Sequence, residues 1–154
     1  MCKLDNMEYN LFLDDERIPI HCVGYVWQWM KATSMYSHME WVIVRNYEEF
    51  VKQITENGLP MLVSFDHDLA DEHYAIGAAS NFTEFDYTKA KEKTGMEAAK
   101  WLVEYCMDNK VKLPEYLVHS YNTCGRANIK GYLDSYKKFE QDNGEHREEE
   151  AETT

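Results

Sequence analysis

The stretch Leu59 to Leu69, Leu-Pro-Met-Leu-Val-Ser-Phe-Asp-His-Asp-Leu, limits the possible folds more than any other part of the chain. Leu62, Val63 and Phe65 are strand formers opened by Pro60, and their apolar run is too short for an ordinary helix. It stops abruptly at Asp66, His67 and Asp68. Ionisable groups are costly inside a sheet unless they are paired or bound to metal, so the strand must end there and deliver them to an edge. In an open parallel sheet, the carboxyl ends of the strands are where ligands bind.

The same pattern occurs twice more. An apolar run from Tyr9 to Leu13 stops at Asp14, Asp15 and Glu16, and Tyr116, Leu117 and Val118 stop at His119, Ser120, Tyr121 and Asn122. Trp41 to Val44 adds a β-branched strand. Asn46 with Glu49 is a capping pattern, and Phe50, Val51 and Ile54 keep helical spacing until Gly58. Residues 41 to 69 therefore form strand, helix and strand, a crossover that yields parallel neighbours. Thr94 and Glu97 predict a second capping box, and Ala98, Ala99, Leu102, Val103, Tyr105 and Cys106 give that helix a broad apolar face ending near Asn109. A last helix is expected from about Thr123 to about Glu140, burying Ala127, Ile129, Tyr132, Leu133, Tyr136 and Phe139.

Two segments are less regular. Within residues 17 to 40, Val26, Trp27, Trp29 and Met30 predict a short aromatic-rich helix ending before Ser34. Residues 70 to 93 lack periodicity and form a long connection over the strand ends, with His73 as an exposed loop histidine. The expected fold class is α/β, a parallel sheet of about four strands in the order 2-1-3-4 with helices on both faces.

At 154 residues and 44% apolar content, the chain can bury one real core. A single domain is expected over residues 1–140. From Glu140 onward seven acidic residues stand against Arg147, half of the net charge of -12, so residues 141–154 are expected as an acidic disordered tail. That balance excludes a binder of duplex nucleic acid, which needs clustered Lys and Arg. Cys2, Cys22, Cys106 and Cys124 lack metal-ligand spacing and suit reduced thiols in a cytoplasmic protein. No apolar run reaches membrane-spanning length.

In the 2-1-3-4 order the first and third strands are neighbours, so Asp14, Asp15 and Asp66 converge. Adjacent carboxylates repel one another, and a divalent cation or a nearby Arg is the usual reason for holding them together. Three oxygen ligands of this kind suit Mg²⁺ or Mn²⁺. His119 leaves the fourth strand beside them, and His67 joins if the chain turns after Asp66; the two would share acid and base roles. Asp68 would orient His67. Ser120 and Asn122 are suitable donors to phosphate oxygens, and Gly125 and Arg126 open the last helix where its N-H groups and dipole favour an anion.

The acidic pair after the first strand and the Asp after the third resemble the receiver domains of response regulators, a flavodoxin-like fold in which such groups hold Mg²⁺ and the later Asp accepts a phosphoryl group. This chain shows no fifth strand and no Lys at its end. It resembles more closely the cyclic-phosphate-processing receiver-like family, through Leu-Asp-Asp-Glu-Arg at Leu13 to Arg17, Phe-Asp-His-Asp-Leu at Phe65 to Leu69, and His-Ser-x-Asn at His119 to Asn122 with Gly125 and Asn128 following. The resemblance covers most of residues 9 to 139. It implies metal-assisted action on a cyclic phosphate, either a cyclic nucleotide or a 2′,3′-cyclic RNA end, with Asn128 added to the substrate-binding residues. The expected activity is a metal-dependent phosphoesterase. The alternatives are a phosphoacceptor switch at Asp66 and a non-catalytic module that sequesters a nucleotide.

Overall fold

The structure is a computed structural model that describes residues 8–30, 33–70 and 93–152, with side chains through Gly144. Of the connection expected over residues 70 to 93, residues 71–92, His73 among them, lie outside the described residues.

Four strands form one parallel sheet: β1 (Asn10–Leu13), β2 (Val42–Val44), β3 (Leu62–Phe65) and β4 (Glu115–Val118), in the spatial order β2-β1-β3-β4. The register decides where the chemistry goes. Leu13 lies opposite Phe65, and Phe65 opposite Val118. The next residues, Asp14, Asp66 and His119, therefore leave the sheet abreast. Their backbone N-H groups still donate along the ladder, to Val44 O at 3.1 Å, Leu13 O at 2.9 Å and Phe65 O at 2.9 Å.

Successive strand residues face opposite sides. Leu11, Leu13, Val63 and Phe65 join one core with α3 (Tyr47–Asn57), α4 (Gly95–Asn109) and α5 (Thr123–Glu152). Phe12 faces the other side, where Cys22, Val26 and Tyr36 from α1 (Pro19–Val26) and α2 (Ser34–His38) cover it.

The caps follow from local chemistry. Asn46 accepts the Glu49 N-H at 2.8 Å, and Gly58 ends α3 at φ 83°, a left-handed value that glycine adopts without strain. The second capping box does not form: Thr94 is buried and makes no side-chain cap bond. What matters there is Gly95, where a Cβ would lie 1.8 Å from Asp66 O, so α4 begins pressed against the exit of β3.

Two helices differ from expectation. The aromatic-rich helix lies earlier, over 19–26, because Pro19 at the first helical position needs no N-H partner and presets φ. Trp27 is 65% exposed beyond it. The last helix runs on to Glu152 instead of ending near Glu140. Glu, Gln, Lys and Arg are strong helix formers, and one Gly costs only about 1 kcal/mol. Its anchor is Ile129 and Leu133, both fully buried and contributing about 1.5–3 kcal/mol each. Ala127 and Phe139, expected in the core, are exposed. Among the described residues, no helix is long and apolar enough to cross a membrane.

Candidate functional site

Two groups of polar side chains meet at the carboxyl rim. The first centres on Asp14, which is fully buried. Its Oδ1 accepts the backbone N-H groups of Glu16 at 3.0 Å and Arg17 at 2.8 Å. Its Oδ2 accepts Arg17 Nε at 2.9 Å and His119 Nε2 at 3.0 Å. Burial pushes this carboxyl up, but the hydrogen bonds from His119 and Arg17, with the Arg17 charge, outweigh it and hold the group below the usual carboxylate range.

His119 is also fully buried, stacked on Phe12 with ring centroids 4.3 Å apart. An ionised carboxylate can only accept, so Nε2 carries the proton toward Asp14. Nδ1 then accepts from Ser64 Oγ at 2.6 Å, and Ser64 accepts from Tyr36 at 2.7 Å. Burial lowers the His119 pKa, which agrees with a neutral ring. Both nitrogens are engaged inside the fold. His119 therefore does not face the cluster across the rim, as its place after β4 suggested; it lies beneath and supports Asp14.

Asp66 stands beside them, 3% exposed. Its Oδ1 accepts His67 N at 2.9 Å and lies 3.3 Å from Arg17 Nη2. Burial and the charge of Asp14 push its carboxyl up to about 8, against the pull of Arg17. Arg17 thus bridges Asp14 and Asp66, and its Nη1 also donates to the Tyr25 hydroxyl. Tyr25 in turn donates to His119 O at 2.9 Å, and Arg45 braces the loop through Asp14 O at 3.2 Å and Arg17 O at 2.7 Å.

The second group lies toward the start of α5. His67 Nδ1 is 2.9 Å from Asp68 Oδ1, and both residues are buried. Asn122 Nδ2 reaches the same carboxylate, at 3.2 Å from Oδ2, while Asn122 Oδ1 accepts the Gly125 N-H at 2.9 Å and so caps α5. A Cβ on Gly125 would fall 2.4 Å from His67 Cγ, so the imidazole fits there only because the helix carries glycine. Asp66 Oδ1 joins the groups, since Arg17 and His67 N share it.

The remaining expected residues divide. Ser120 is buried, and its Oγ accepts Asn122 N at 3.2 Å. Arg126 turns away: Nη1 donates to Ser120 O at 3.1 Å and the guanidinium lies 3.8 Å over the Trp29 ring. Asn128 is exposed on α5, with no described contact to the site. Asp15 is half-buried, raised to about 6 by burial and by the charges of Asp14 and Glu16, and stands outside the cluster. Arg17, Tyr25 and Ser64 were not anticipated as site residues. Ser64 carried a signal, a lone hydroxyl within an otherwise apolar strand.

Ligand atoms of Asp14, Asp66 and His119 lie within 4.8 Å of one another, a spacing that one cation could bridge. As arranged, however, they do not fit a resident divalent ion. A carboxylate offers about four acceptor positions, and four N-H donors fill those of Asp14. The Arg17 guanidinium already bridges the two acids.

A parallel sheet in the order 2-1-3-4, with helices on both faces and acids at its carboxyl rim, defines a receiver-like α/β protein. The profile of the cyclic-phosphate processing receiver domain matches residues 9–135, and the chain belongs to that family. Comparison with curated proteins and with solved structures gives no significant match.

Proposed function

We propose that this chain is a phosphoesterase that opens a cyclic phosphodiester, of a cyclic nucleotide or a 2′,3′-cyclic RNA end, by acid-base catalysis. The observation that carries this is the His67–Asp68 pair, held at 2.9 Å at the end of β3 and gripped by Asn122 at the start of α5. With Nδ1 committed to Asp68, proton transfer falls to Nε2. In the reaction, His67 Nε2 takes a proton from water as its oxygen bonds to phosphorus. The bond from phosphorus to one ribose oxygen breaks, and that oxygen must gain a proton.

Asp66 supplies it. A carboxyl kept neutral near pH 7 can act as an acid beside an imidazole base. The same property disfavours Asp66 as a phosphoacceptor, because a nucleophile must be ionised and Oδ1 is already engaged twice.

The test is turnover of a panel of 2′,3′-cyclic and 3′,5′-cyclic nucleotides and an RNA with a 2′,3′-cyclic end, followed by ³¹P NMR. At least one should open to a monoester. Stable labelling of Asp66 by a small phosphodonor, with no substrate opened, would sink the proposal.

A further inference from the structure

The family resemblance implies a metal, whereas the donors around Asp14 are arranged for a guanidinium. We propose that Arg17 is the built-in cation of this site and grips the phosphoryl oxygens without a divalent ion, an inference that rests on the phosphoesterase assignment for its substrate.

A guanidinium has five N-H donors. Nε-H goes to Asp14 Oδ2 and one N-H of Nη1 to the Tyr25 hydroxyl, while Nη2 forms an ion pair with Asp66 Oδ1 at 3.3 Å. One further N-H on each terminal nitrogen has no acceptor among the described residues, and a quarter of the side chain is open to solvent. Donors on both terminal nitrogens of a fixed plane can reach two oxygens of a phosphate. The plane is fixed from both ends: Asp14, Asp66 and Tyr25 hold the guanidinium, and Arg45 holds the Arg17 carbonyl at 2.7 Å. A side chain so braced loses little further freedom on binding, which is what preorganised charge stabilisation requires.

A metal would need lone pairs on Asp14 that Glu16 N, Arg17 and His119 occupy, and would have to sit against the guanidinium's positive charge. Removing the guanidinium should reverse the preference, because the two facing acids would then lack their fixed cation and a divalent ion could displace the Asp66 proton.

The experiment uses the full chain with two probes, neither of which requires turnover: inorganic phosphate in EDTA by calorimetry, and Mn²⁺ alone by electron paramagnetic resonance. Arg17→Met and Arg17→Lys are compared with wild type, with circular dichroism confirming the fold; Lys keeps the charge that holds the loop together. Wild type should bind phosphate in EDTA, and both variants should weaken by about tenfold or more, the loss of one charge-assisted fork. Arg17→Met should take up Mn²⁺ at least about tenfold more tightly than wild type, as removal of a fixed like charge predicts. Phosphate affinity unchanged in both variants, or stoichiometric Mn²⁺ uptake by wild type that Arg17→Met does not strengthen, would overturn the proposal. Failure of the phosphoesterase assignment would appear separately, as intact phosphate binding with no cyclic substrate opened.

Discussion

Replacing Gly125 with Ala sets two effects of opposite sign against each other. Glycine inside a helix is worse than alanine by about 1 kcal/mol, so Ala normally stabilises. At Gly125 the added carbon would lie 2.4 Å from His67 Cγ, 2.6 Å from Cδ2 and 2.8 Å from Cβ. Cβ is bonded to the backbone, so the imidazole cannot swing clear by a rotamer change alone. The ring is also tied to Asp68 at 2.9 Å. Overpacking of this kind costs about 1–3 kcal/mol, enough to outweigh the helix gain. Gly131, in the same helix, has nothing within 4 Å of its added carbon and serves as the control. Urea denaturation should therefore show Gly125→Ala less stable than wild type and Gly131→Ala equal or more stable. Because a displacement of about 1 Å can cost about 100-fold in rate, Gly125→Ala should also depress turnover far more than Gly131→Ala. If both variants stabilise equally and keep full activity, His67 does not lie against α5 and the positioning of the base described above is wrong.

Asp66→Asn tests the raised carboxyl. Folded Asp66 keeps its proton up to about pH 8, while its ordinary value is 3.8. Between those values the folded state binds more protons than the unfolded one, so Asp66 lowers stability as pH rises, by a few kcal/mol at most. Thermal melts should show Asn gaining on wild type from pH 5 to pH 8.5; the opposite trend would mean that the Asp66 charge is stabilised by Arg17 instead. Ser64→Ala removes the hydroxyl between Tyr36 and His119 Nδ1, leaving two buried polar groups short of a partner at a cost of about 1–3 kcal/mol. A change below about 0.5 kcal/mol in denaturation, the range of an ordinary surface substitution, would argue against that relay.

The sheet was legible because three strands each break off in polar residues, and a parallel sheet gathers such groups at its carboxyl rim. The relevant row, Asp14, Asp66 and His119, follows from register alone. Its contents were harder to judge. An acidic pair demands either a divalent cation or an Arg, and only the path of the loop from Asp14 to Pro19 brings Arg17 back onto both acids. His119 looked like a rim histidine, yet Phe12 and Ser64 share its face of the sheet and draw the ring under the cluster. The aromatic density of Trp27 and Trp29 drew the first helix too far along the chain. Trp29 packs from a turn instead, donating Nε1 to Val118 O at 3.1 Å. The helix past Glu140 shows the limit of charge as a guide, since the glutamates that discourage burial also favour helix.

The two histidines give the account its most direct test. The measurement is the rate at which a 2′,3′-cyclic nucleotide is opened by wild type, His67→Ala and His119→Gln, each checked for native fold. His67→Ala should slow opening by about 100-fold or more, the share expected of a general base, while His119→Gln keeps more of the rate than His67→Ala does. A His67→Ala protein that opens the substrate at the wild-type rate would contradict the account.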